Sequence, residues 1–481
     1  MLRKFQLFIL LAFATSIVSC SKDDNNGTKP TLKLSANEMS FMAESASKEV
    51  TVESTAAWTV TPDTASWVTL TSEGTTGIGK FTIQVTENTG ENSRTATITV
   101  TSGELSQVVK VSQVSYNDPS YDTMDSIKPN HVGIRDITSF ELSKEMVPGW
   151  NLGNSLEAIG GETKWGNPLV TQRLIDSIKA AGFKSVRIPV AWSQFSDETS
   201  FTIKTEWMDR VEEVVNYVLG AGLYAVVNMH WDGGWMQPTY AKQQYVNDRM
   251  SAMWKQIAVR FRNYDDHLIF AGTNEVMVEG NYNAPSNEYA EVQNGFNQVF
   301  VSTVRATGGK NTYRYLAVQG FNTNIDYTIS SFIMPTDIAN DKRLLVEVHY
   351  YDPYNFTINE KSAISQWGKN ATDASKTETW ANETYVDKQF GKMKTNFADK
   401  GYGVLVGEYG TIAKLSFEDN AKFRVDYTLY VTQSMVKNSL VPMYWDNGAT
   451  GNNGMGLFNR NTGEKAYPQL IKAIMDACAG K

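Results

Sequence analysis

Cysteine is nearly absent from this 481-residue chain: there are two, Cys20 and Cys478. So few exclude a disulfide-stapled scaffold and leave stability to core packing. Basic charge is also short, with 44 Lys and Arg against 52 Asp and Glu, a net charge of −8. That balance argues against a nucleic-acid partner, whose phosphates reward a basic surface. Histidine is scarce at four residues, and there is no His-Glu-x-x-His, no paired Cys-x-x-Cys and no phosphate-cradling glycine loop. The aspartates at Asp23-Asp24 and near residues 118–125 are too scattered for a calcium loop. No metal and no cofactor are expected. Beyond the first residues no run is apolar enough to span a bilayer. What remains is 41% hydrophobic and 20% charged, the composition of a folded chain, with length for two domains.

Residues 1–19 read as a targeting signal. Arg3 and Lys4 precede a short apolar run, Leu7 to Ala14, that ends at Ile17-Val18-Ser19-Cys20. This end resembles a bacterial lipobox, which makes Cys20 the lipid acceptor and leaves Cys478 without an intrachain partner. The Ser21-Lys22-Asp23-Asp24-Asn25-Asn26 stretch resembles the acidic tag of lipoproteins displayed on the outer face of the outer membrane. A tether over 20–30, a lipid anchor, a cell-surface location and a monomer are therefore expected.

Residues 31–115 read as a small all-β, immunoglobulin-like sandwich. Short Thr- and Val-rich runs alternate polar and apolar, as in Phe81-Thr82-Ile83-Gln84-Val85 and Thr95-Ala96-Thr97-Ile98-Thr99-Val100, with turn-forming stretches between them. About seven strands are expected. Residues 116–132, polar and carrying Pro119 and Pro129, read as a linker.

From about 133 to 481 the pattern becomes α/β. Eight β-type runs are expected at Gly149–Leu152, Ser185–Val190, Tyr224–Met229, Leu268–Thr273, Tyr315–Gln319, Leu344–Val348, Val404–Gly407 and Val441–Tyr444. Helical stretches follow most of them, at Thr171–Ala181, Glu206–Leu219, Asn247–Arg262, Glu288–Ala306, Tyr385–Asp399, Asn420–Lys437 and Pro468–Ala477. Eight such repeats predict a (β/α)8 TIM barrel, whose chemistry sits at the C-terminal ends of the strands. In or near those ends come Asn151 and Asn154, Arg187, His230, Asn274 and Glu275, His349 and Tyr351, Glu408, and Trp445. Polar or aromatic groups thus converge on one rim.

Two glutamates at the ends of strands four and seven would face each other across the mouth. Glycosidic bond cleavage needs such a pair, an acid for the leaving oxygen and a carboxylate for the oxocarbenium-like centre. Flanking apolar residues predict partial burial, which lets neighbours tune the two pKa values apart. Arg187 could keep a carboxylate ionised, Asn274 could bind a sugar hydroxyl, and Trp445 could stack beneath a pyranose. The chain holds 12 Trp, 22 Tyr and 21 Phe. Trp192, Trp231, Trp235 and Trp367 are candidate sugar-stacking rings.

At this point a resemblance becomes specific. The segments Gly149-Trp150-Asn151-Leu152-Gly153-Asn154, Arg187-Ile188-Pro189-Val190, Asn228-Met229-His230, Asn274-Glu275, His349-Tyr350-Tyr351 and Gly407-Glu408-Tyr409-Gly410 resemble glycoside hydrolase family 5. Trp165-Gly166-Asn167-Pro168 resembles its subfamily 4, which holds endo-β-1,4-glucanases and xyloglucanases. Trp58, Trp67, Arg94 and a closing Gln113 resemble the Bacteroidetes-associated carbohydrate-binding often N-terminal family. The first resemblance implies a retaining endo-β-1,4-glucanase acting on cellulose-type glucan, mixed-linkage glucan or xyloglucan, with a xyloglucan-specific enzyme as the narrower form. It makes Glu275 the acid/base and Glu408 the nucleophile, with Arg187, His230, Asn274, His349, Tyr351 and Trp445 supporting. Two departures lie near the cleft: Val276 stands where Pro often follows the acid/base, and Trp231 where a second His is common. A non-catalytic surface glycan-binding lipoprotein is the competing class, although such decayed enzymes usually lack one of the two carboxylates.

Overall fold

The computed structural model describes residues 30–479 apart from 74, 122–123 and 340–341. The expected leader and Cys20 lie outside the described residues. Two compact units emerge: one runs to Asn88 and takes in Ser93–Val114, and the other comprises Thr89–Asn92 and everything from Ser115 onward.

The first unit is a sandwich of two four-stranded sheets. One sheet orders Leu32–Leu34, Ala46–Ala57, Thr76–Val85 and Val68–Glu73; the other orders Glu38–Phe41, Leu105–Gln113, Arg94–Ser102 and Thr59–Pro62. Eight strands thus stand where about seven were expected. Alternate residues of each strand, among them Val50, Val52, Phe81, Ile83, Ile98 and Val100, meet in one apolar core with Trp58. The residues that carried the family resemblance form a knot. The Arg94 guanidinium lies 4.5 Å over the Trp67 ring and donates from Nε and Nη2 to Gln113 Oε1 at 3.0 and 2.8 Å. Gln113 Nε2 in turn donates to the carbonyls of Ala43, Glu44 and Thr86. Trp58 is thus a core residue and Trp67 lies half-buried beneath Arg94, and no aromatic ring is exposed among the described residues of this unit.

In the second unit eight parallel strands close into a barrel. They are β1 (Gly149–Leu152), β2 (Ser185–Ile188), β3 (Tyr224–Asn228), β4 (Leu268–Ala271), β5 (Leu316–Gln319), β6 (Leu344–Tyr350), β7 (Gly403–Tyr409) and β8 (Val441–Asp446). All eight expected strands are present, with ends shifted by up to two residues. Helices return between them as expected; the sequence reading lacks the short Ile325–Ser331 after β5. Local signals set their ends. The helix Gln172–Ala181 starts at Thr171, whose side chain accepts from Leu174 N–H, and stops at Gly182 with φ +109°.

The expected linker is corrected. Within 116–132, Tyr116, Tyr121 and Ile127 are buried, and Ile127–Pro129 pairs in parallel with Gly308–Gly309 of the second unit. A Cβ on Gly308 would lie 1.7 Å from the Ile127 carbonyl oxygen, so glycine is required for that approach. Polarity and two prolines suggested free chain, but three apolar side chains anchor it.

The barrel interior is layered. Val226, Ile269, Ala271, Tyr315, Ala317, Leu345, Leu405, Val441 and Met443 form an apolar plug. Because strand side chains alternate with period two, the next inward residues up the strands are Asn151, Arg187, Asn228, Gln319, Glu347 and Trp445. A polar layer therefore rests on an apolar one, immediately below the mouth.

Candidate active site

Arg187 on β2 is the hub of that layer and is fully buried. Its Nη1 donates to Asn151 Oδ1 at 3.0 Å and to Glu408 Oε1 at 2.9 Å, and its Nη2 donates to Asn274 Oδ1 at 2.6 Å. Its Nε forms an ion pair with Glu347 Oε1 at 2.8 Å. The guanidinium fork fits this task because its donors diverge in one rigid plane.

Glu408 owes its aim to a bulge. Period two from Leu405 would turn Gly407 inward and Glu408 outward. Instead β7 carries one extra residue: Val348 pairs with Val406 and His349 with Glu408, skipping Gly407. The bulge re-aims Glu408 into the mouth. Gly407 is needed there, since a Cβ would sit 2.0 Å from Glu347 Oε1. Tyr351 OH donates to Glu408 Oε2 at 3.2 Å. Glu275, just beyond β4, adopts φ +46°, a left-handed conformation uncommon outside glycine. It accepts at 2.7 Å from Nδ1 of His349. Oxygens of Glu275 and Glu408 and a ring nitrogen of His349 all lie within 4.8 Å of one another.

The remaining expected residues divide. His230 is half-buried and stacks parallel to Trp445 at 5.9 Å, with Nδ1 3.0 Å from Asn228 Nδ2. Gly153 makes room for that tryptophan, because a Cβ would lie 2.8 Å from its ring. Asn274 is gripped through Oδ1 by Arg187, which leaves its Nδ2 edge toward the mouth, 3.5 Å from His230 Nε2. Trp231 is exposed and lines a 370 Å³ cavity with Trp165, Trp235, Tyr282 and Glu275. A second cavity of 270 Å³, lined by Tyr282, Tyr351, Asp352, Tyr354 and Tyr385, also opens on Glu275. The contacts of Asn154 run through its backbone instead: its N–H donates to the Glu157 carboxylate and its carbonyl accepts from Asn167 Nδ2.

Two of the four candidate stacking rings are corrected. Trp192 is fully buried and donates to the Asn228 carbonyl; Trp367 is buried and donates to the Ala381 carbonyl. Both are core. Trp165 and Tyr282 take their place at the cleft. The sequence reading also missed three members of this polar layer: Asn228 and Gln319, which end β3 and β5, and Glu347, which lies inside β6. A charged residue inside Leu344-Leu345-Val346-Glu347-Val348, two positions before His349, was the available signal.

The electrostatics are those of three carboxylates sharing two cations. Burial works against the charge of Glu347, but Arg187 and His349 outweigh it and bring its carboxyl down to about 2. Burial also works against the His349 cation, yet Glu408, Glu275 and Glu347 together lift the ring to about 9. His230 is pushed well below the usual histidine range, first by burial and then by Arg187 and His349, so it stays neutral. At Glu408 burial raises the carboxyl against the pull of His349 and Arg187. At Glu275 the His349 hydrogen bond and charge outweigh burial and lower it. The surroundings move the two carboxyls apart, but in the opposite sense to an acid at Glu275 and an ionised nucleophile at Glu408: Glu275 is the one lowered, by the His349 ring 2.7 Å away, and Glu408 the one raised.

A (β/α)8 barrel with paired carboxylates this close at its C-terminal rim, above a stacked Trp445, defines a glycoside hydrolase. The comparisons with known proteins agree. The cellulase (glycosyl hydrolase family 5) model matches residues 151–451, and the BACON model, for an N-terminal binding domain, matches residues 56–114. The xyloglucan-specific endo-beta-1,4-glucanase BoGH5A of Bacteroides ovatus is 41% identical over 98% of this chain and 95% of its own length. Endoglucanase A of Paenibacillus barcinonensis is 42% identical over 73% of this chain and 92% of its own. Among solved structures, a Bacteroides ovatus xyloglucanase bound to a XXXG heptasaccharide superposes with a TM-score of 0.71 at 40% identity, covering 93% of this chain and 100% of that one. A family 5 xyloglucanase from Paenibacillus pabuli gives 0.67 at 40% identity, covering 70% and 99%. The chain belongs to glycoside hydrolase family 5.

Proposed function

We propose that this chain is an endo-acting, retaining β-1,4-glucanase whose substrate is a branched cell-wall glucan of the xyloglucan kind. The observation that carries the reaction class is the approach of the Glu275 and Glu408 oxygens to within 4.8 Å. Retaining enzymes hold their carboxyls about 5–5.5 Å apart, whereas inverting ones need about 6.5–9.5 Å to admit a water. Glu408, oriented by Arg187 and Tyr351, attacks the anomeric carbon while Glu275 protonates the departing oxygen. A glycosyl ester on Glu408 results. Glu275 then takes a proton from water, which displaces Glu408 and restores the site. The Nδ2 edge of Asn274 is free to donate to the 2-hydroxyl, a contact that strengthens at the transition state. Trp445 floors the sugar being cleaved.

Two features support a branched substrate. Two cavities open on Glu275, with exposed Trp165 and Trp231 in one and exposed Tyr282 bordering both, which gives side branches room and a ring to stack on. The relatives named for xyloglucan match this chain at 40–41% identity, one of them across both of its units. Product sizing on cellulose, mixed-linkage glucan, xyloglucan, mannan and xylan tests the proposal. Xyloglucan should give the highest kcat/KM, with large branched oligosaccharides released early. Equal rates on all β-glucans would leave a broad-specificity endoglucanase, and activity of Glu408→Ala would remove the mechanism. We also propose that Cys20 carries a lipid that holds the enzyme on the outer membrane; Cys20→Ala should then move it to the soluble fraction.

A further inference from the structure

Glu347 has no part in the chemistry described so far, yet it lies fully buried directly beneath it. One of its oxygens, Oε1, meets both cations of the site: Arg187 Nε at 2.8 Å and His349 Nε2 at 3.3 Å. Each cation then turns its other side to one of the paired carboxylates. Arg187 holds Glu408 at 2.9 Å, and His349 Nδ1 holds Glu275 at 2.7 Å. The chain makes space for this arrangement at some cost, because the bulge residue Gly407 would clash with the Glu347 carboxylate if it carried a Cβ. An anion enclosed this way is expensive unless its partners need it.

We propose that Glu347 is the positioning residue of the site: it locks Arg187 against Glu408 and turns the Nδ1 edge of His349 toward Glu275, so that His349 and Glu275 hold one proton between them. This rests on the roles assigned above to Glu275 and Glu408. The groups set against His349 are Glu347 on its own strand, Glu275 after β4, Glu408 on β7 and His230 after β3, with Arg187 on β2 and Tyr351 just beyond β6 acting on the same carboxylates. Removing one negative charge from that set while keeping its shape destabilises the protonated pair. Its proton is then lost at lower pH, and the acid form needed for catalysis fails sooner on the alkaline side.

The test is the pH dependence of kcat/KM for full-length Glu347→Gln on soluble β-1,4-glucan between pH 4 and 10. The basic limb should move to lower pH by about one unit or more. A merely structural role lowers activity at every pH and leaves the limbs in place; unmoved limbs overturn the proposal. Should the variant fail to fold, imidazole-15N histidine NMR of the wild type decides, with the His349 signal identified by its loss in His349→Gln. A doubly protonated His349 at pH 7 is expected, and a neutral ring at pH 7 refutes the proposal. Hydrolysis by Glu408→Ala would instead bring down the catalytic reading and leave the NMR result untouched.

Discussion

Gly407→Ala isolates the role of the bulge in aiming Glu408. The added Cβ would meet Glu347 Oε1 at 2.0 Å and Cδ at 2.7 Å. Glu347 cannot swing away, because it is enclosed and ion-paired to Arg187 at 2.8 Å. Either the bulge flattens or Glu347 leaves its partners. Overpacking a rigid interior costs about 1–3 kcal/mol, and parting a buried ion pair about 3–5 kcal/mol, so a loss of about 2–5 kcal/mol is expected. The catalytic loss should be larger in proportion, because a displacement of about 1 Å at a reacting group can cost roughly 100-fold. Urea denaturation gives the first quantity and kcat on a soluble glucan the second. Gly391→Ala, in the helix Glu383–Asn396 with open space at its Cβ, is the control and should be neutral or slightly stabilising. Wild-type kcat and stability in Gly407→Ala would refute the bulge argument.

Trp165→Ala and Trp231→Ala remove exposed cleft rings, so each should raise KM on xyloglucan several-fold while leaving the melting temperature within about a degree. Isothermal kinetics beside a thermal melt checks both. The His349 ring is lifted from 6.5 to about 9, so its contribution to stability is complete below pH 6.5 and lost as pH rises through about 9. Urea midpoints at pH 6 and pH 10 should differ more for wild type than for His349→Gln. Trp67→Ala in the full chain should leave retention on glucan affinity gels unchanged, since that ring lies under Arg94; weakened retention would make it a sugar platform.

The barrel was legible because each strand is a compact apolar run whose end carries a polar or aromatic residue, as at Arg187, His349 and Glu408. The rest of the layer that holds Arg187 went unread: Asn228 and Gln319 are strand-end amides with no charge to mark them, and Glu347 hides inside its strand among Leu, Val and Val. The aim of Glu408 was legible only as an outcome. Alternation from Leu405 gives the opposite face, and the extra residue at Gly407 shows only in the pairing with β6. Trp192 and Trp367 look like Trp231 in a sequence, because nothing local to a tryptophan tells a floor of the core from a floor of a cleft. The segment 116–132 misled in the reverse sense: its composition is that of free chain, but Ile127 finds a partner at Gly308, far along the sequence.

Trapping the intermediate tests the central claim most directly. Incubation with an activated 2-deoxy-2-fluoro cello-oligosaccharide, followed by proteolysis and mass spectrometry, should place one glycosyl adduct on the peptide containing Glu408, and Glu408→Gln should abolish it. An adduct on another residue, or hydrolysis with inversion and no adduct at all, would contradict a covalent sugar ester formed between these two carboxylates.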